Sequence, residues 1–105
     1  MKYKVYEDTS FVTGDSPVTH NALGDLKAYA RGGIVSNWGT GDMSIKIEGN
    51  RDINPLPNDD VTLLANAESI RVPARSTFDL STLKMNILKI QTIWIADTSY
   101  TITVA

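Results

Sequence analysis

Residues 86–104 read NILKIQTIWIADTSYTITV, and this stretch decides the fold. In its second half Tyr100, Ile102 and Val104 share one parity, while Ser99, Thr101 and Thr103 share the other. Successive strand residues point to opposite faces, so the alternation describes a strand with one buried and one solvated side. In the first half Leu88, Ile90, Thr92 and Trp94 alternate with Ile87, Lys89, Gln91, Ile93 and Ile95. Both faces are then partly apolar, as in a central strand packed on one side and touched on the other. Ala96-Asp97-Thr98-Ser99 has turn chemistry. The two runs are expected to pair as an antiparallel hairpin.

Further upstream, IVSNW (34–38) and MSIKIEG (43–49) flank Gly39-Thr40-Gly41-Asp42, which predicts a second hairpin. VTLLA (61–65) and SIRVP (69–73) are two more expected strands, the latter stopped by Pro73. KYKVY (2–6) is another, and GNRDINPLPNDD (49–60) reads as a surface loop. One segment has helical spacing: Ala22, Leu23, Leu26, Tyr29 and Ala30, with Asn21 as cap and Gly32-Gly33 as terminator. Gly24 weakens this helix by about 1 kcal/mol, and at that length it must dock on a sheet. Short strands separated by Gly, Pro and Asn predict one all-β domain spanning 1–105. Its form is a β-sandwich or jelly roll of about seven to eight strands, with one short helix near 22–31. Residues 7–21 are expected as an extended arm or long loop, because Pro17 interrupts them and only Phe11, Val12 and Val18 are large and apolar.

The bulk numbers exclude several classes. Apolar residues make up 42 % of the 105 and charged residues 21 %, a globular composition. Net charge is −2, and the ten Lys and Arg never cluster, so no nucleic-acid partner is expected. No cysteine is present, which removes disulfides and thiolate metal sites. No secretion signal and no apolar run long enough for a membrane span are apparent.

No catalytic or cofactor constellation emerges. His20 follows Asp15 and Ser16, but proximity in sequence is not the geometry of a triad, and no nucleophile elbow is present. His20 reads as a surface or turn residue. Asp42, Asp52, Asp59 and Asp60 do not match a calcium loop, so no metal is expected. GTGD lacks the Lys-Ser/Thr of a phosphate loop and lies between strands. Trp94, between Ile93 and Ile95, reads as core. Trp38, at a strand end beside a glycine turn, is a candidate contact for a sugar or a protein partner. With the enzyme classes weak, assembly remains, and Phe11, Val12, Pro17, Trp38 and Leu56 are the candidate protein-interface residues.

A likeness supports this. The leader FVTGDSP (11–17), the following ALG (22–24), GIVSNWGTGD (33–42) and the closing IQTIWIADTSYTITV (90–104) resemble small structural proteins of tailed bacteriophages. The resemblance covers most of the chain and consists of pattern, without a catalytic signature. It implies a β-sandwich that works in many copies on a larger particle, assembled in the host cytoplasm. Capsid decoration or cement is the first expectation; a neck, tail or fibre-base protein is the second. The partners implied are capsid or tail subunits and further copies of the chain. A small carbohydrate-binding module using Trp38 is the alternative from another class.

Overall fold

The computed structural model describes residues 3–11, 17–50, 61–94 and 98–105, the side chains at 8–11, 94 and 98 excepted. Among the described residues eight strands run in chain order: β1 (Lys4–Phe11), β2 (Val18–His20), β3 (Gly33–Asn37), β4 (Met43–Asn50), β5 (Ile70–Val72), β6 (Thr77–Asp79), β7 (Asn86–Trp94) and β8 (Thr98–Val104). One helix, α1 (Ala22–Leu26), and two 3₁₀ turns, Leu64–Asn66 and Leu80–Leu83, complete the described elements. The strands form two four-stranded sheets, ordered β1-β8-β3-β6 and β2-β7-β4-β5, with every pairing antiparallel. This order has a simple origin. Pair the first half of the chain with the second, as β1 with β8, β2 with β7, β3 with β6 and β4 with β5, then roll the ribbon until β3 meets β8 and β4 meets β7. That is the wrap of a jelly roll, one of the expected architectures.

The roll overturns both expected hairpins. β7 ends at Trp94 in one sheet and β8 begins at Thr98 in the other. Likewise β3 and β4, on either side of the GTGD turn, belong to different sheets. The alternation within each strand is borne out. Tyr100, Ile102 and Val104 point inward from β8, and Met43, Ile45 and Ile47 point inward from β4. Together with Val35, Val72, Leu80, Ile87 and Ile90 they form one core between the sheets. Burying a large aliphatic side chain of this kind contributes roughly 1.5–3 kcal/mol.

Strand β7 buries Ile87 and Ile90, which have opposite parity. The register explains it: Glu48 faces Lys89, but Gly49 faces Ile87, so Leu88 is an extra residue in a bulge. The bulge turns the strand by one position, and both isoleucines reach the core. A Cβ at Gly49 would sit 2.1 Å from the Asn86 carbonyl oxygen, so the bulge also requires glycine.

Other expectations are corrected. Helix α1 starts as predicted, with the Gly24 N–H donating to Asn21 Oδ1 at 3.0 Å, but it ends at Leu26 instead of near 31. Lys27 turns left-handed, and Ala30 then exchanges two backbone hydrogen bonds with Ile87, at 3.1 and 2.7 Å. Sheet pairing has won over helix propagation, which is weak in so short a segment. Gly33 opens β3 with φ 141°, where a Cβ would lie 1.8 Å from the Thr103 carbonyl oxygen. The glycine pair serves the strand, not a helix end. Residues 61–65 are not a strand; Thr62 makes a single bridge to Gly49 before the 3₁₀ turn. Of the expected arm, residues 7–11 continue β1 and 18–20 form β2 on the edge of the second sheet, while 12–16 lie outside the described residues. Most of the expected 49–60 loop lies outside the described residues. No helix among the described residues is long and apolar enough to cross a membrane.

Candidate functional site

Five large hydrophobic residues are exposed among those described: Tyr3, Val5, Ile34, Trp38 and Leu63. Four of them lie on the outer face of one sheet. Register fixes this placement. Val5, Thr103, Ile34 and Asp79 stand in one row across β1, β8, β3 and β6. Glu7, Thr101, Ser36 and Thr77 stand in the next. Tyr3 extends the β1 side by one residue of the same parity, and Trp38 extends β3 at the opposite end. Neighbouring strands are ~4.8 Å apart, and same-face residues on one strand ~6.8 Å. From β1 to β3 the strip therefore measures about 10 Å by 20 Å.

Trp38 is held in place from below. Its N–H donates to the Ser99 carbonyl at 2.8 Å, and its indole Nε1–H donates to Thr101 Oγ1 at 3.0 Å. The indole is thereby tied across β8 while 62 % of the residue stays exposed. Preceding it, Asn37 is buried. Its Nδ2 donates to the carbonyls of Gly41 at 2.9 Å and Val72 at 3.1 Å, and its Oδ1 accepts from the Gly39 N–H at 3.0 Å. One side chain thus fixes the turn after Trp38 and joins it to β5. A buried amide with all these partners specifies a single local geometry.

The outer face of the other sheet is chemically different. Thr19, Gln91 and Lys46 form its central row, Arg71, Ser44 and Ile93 the next, and Glu48 faces Lys89. Lys89 Nζ is 3.6 Å from Glu48 Oε2, and Arg71 pairs with Asp42. Asp42 also accepts the Ala74 N–H at 3.1 Å. That bond first, and Arg71 second, hold its carboxyl below the usual carboxylate range.

His20 is not in a surface loop. It sits half-buried on β2, with Nε2 2.7 Å from the Tyr100 hydroxyl and its ring stacked on Tyr6 at 4.4 Å between centroids. Tyr6 in turn donates to Asp25 Oδ2 at 2.5 Å. Burial first, then the bond and charge of Asp25, push the Tyr6 phenol well above its ordinary value. Thr92 Oγ1 lies 3.4 Å from the Tyr100 hydroxyl. The group links β2 of one sheet to β1 and β8 of the other and anchors α1. Asp15 and Ser16, the imagined triad partners, lie outside the described residues.

A groove of about 720 Å³ lies at the end of the roll near Gly49, Thr62 and Met85. Among the described residues no three His, Asp or Glu converge as metal ligands would. Of the four carboxylates that fail the calcium-loop pattern, Asp42 is engaged by Arg71 and Ala74, while Asp52, Asp59 and Asp60 lie outside the described residues.

The expected interface residues fare unequally. Trp38 is exposed, at one end of the apolar face. Pro17 is exposed but precedes β2 in the other sheet, so the two are not brought together. Phe11 is the last residue of β1, opposite Thr98; its side chain, Val12 and Leu56 lie outside the description. Tyr3, Val5 and Ile34 escape the sequence reading. Ile34 and Val35 are adjacent and both apolar, and only the pairing shows that Val35 points in and Ile34 out.

No family model matches the chain, and no curated protein or solved structure is similar to it.

Proposed function

We propose that this chain is a non-enzymatic structural component of a bacteriophage virion, in the first place a capsid decoration or cement protein. A neck, tail or fibre-base position is the second possibility within the same class. One observation carries the reading: four of the five large hydrophobics exposed among the described residues share one sheet face. Exposed large apolar side chains gathered on one face of a small domain suit an interaction site. The jelly-roll wrap is in keeping with this by analogy of fold, since capsid domains use it, although lectins and cupins do too. The pattern shared with tailed-phage structural proteins points the same way.

The sugar-binding alternative rests on Trp38 and Tyr3, which occupy the same face. Against it, Val5 and Ile34 lie between them, and neither offers a stacking surface or a hydrogen bond to a pyranose. A protein partner uses all four side chains.

Quantitative mass spectrometry of particles from the phage encoding the chain tests the reading. The expectation is many copies per particle, with Trp38→Ala lowering occupancy at least tenfold while the chain still unfolds cooperatively. Absence of the chain from particles overturns the reading. Binding to a glycan panel, abolished by Trp38→Ala, replaces it with the carbohydrate module.

A further inference from the structure

We draw no further inference here: the strongest candidate, the exposed apolar strip of Tyr3, Val5, Ile34 and Trp38 on the outer β1-β8-β3-β6 face, belongs to the site already described, and nothing in the structure shows what covers it.

Discussion

The two outer faces of the roll are built from the same backbone pattern and filled by opposite rules. On the β2-β7-β4-β5 side the outward positions hold Lys46, Glu48, Arg71, Lys89 and Gln91 with Ile93; Lys89 pairs with Glu48 across strands and Arg71 with Asp42. That is how a sheet faces water. On the β1-β8-β3-β6 side the same positions hold Val5, Ile34 and Trp38 among Ser and Thr. A strand's period of two permits either filling, so fold stability does not require the apolar one. The difference sets the two faces apart as chemically distinct surfaces.

The largest expected effect tests whether the apolar face depends on the interior beneath it. At Gly33, where β3 meets β8, any side chain enters the Thr103 carbonyl. Gly33→Ala is expected to cost about 3–5 kcal/mol, read by urea denaturation. A loss below 1 kcal/mol means that β3 can shift on β8, and the row alignment of Val5 with Ile34 loses its basis. Next comes Asn37. Removing its amide leaves two buried carbonyls and the Gly39 N–H short of a partner. Asn37→Ala should cost about 2–4 kcal/mol and change the emission of Trp38.

A direct contrast follows at smaller scale. Ile34→Ser deletes an exposed hydrophobe from the apolar face, so the monomer should lose at most about 0.5 kcal/mol. Lys89→Ala deletes the partner of the largely buried Glu48, so it should cost more, about 1–2 kcal/mol. If Ile34→Ser is the more damaging, the apolar face is serving the monomer, and the comparison between the faces collapses.

The strands were legible in the sequence because alternation is local. Tyr100, Ile102 and Val104 need no partner to be read as one face. What joins them was not legible. GTGD suits a turn between paired strands and a passage between sheets equally well, since both demand only glycine and a polar residue. The pairings β1 with β8 and β2 with β7 close over nearly the whole chain, and nothing near Val5 specifies Thr103. The same gap hid the site. Trp38 stood out by its chemistry, whereas Val5 and Ile34 become a patch only once β8 is placed between them. The short strand expected at 61–65 failed for the opposite reason. An apolar run such as VTLLA has no period long enough to separate strand from 3₁₀ turn.

The smallest effect compares one carboxylate from each face. Asp42, beside the charged face, is held low by the Ala74 N–H and Arg71; Asp79, on the apolar face, by the Ser81 hydroxyl at 2.7 Å and the Ser81 N–H at 2.9 Å. Both folded-state values are depressed relative to the unfolded chain. Each group therefore adds stability that is present above the ordinary carboxylate range and is lost as pH falls through the folded value. Both side chains are open to solvent, so the acid limb of a melting-temperature profile should drop gently below that range. Asp42→Asn and Asp79→Asn should each flatten it. They should differ at neutral pH. Asparagine at 79 keeps an oxygen for the Ser81 N–H, so the 3₁₀ turn and the edge of the apolar face stay put. Asparagine at 42 gives up the charge opposite Arg71 and leaves the second face with one more uncompensated cation. Added salt should reduce the loss caused by Asp42→Asn and leave Asp79→Asn unmoved, because only the first depends on an ion pair.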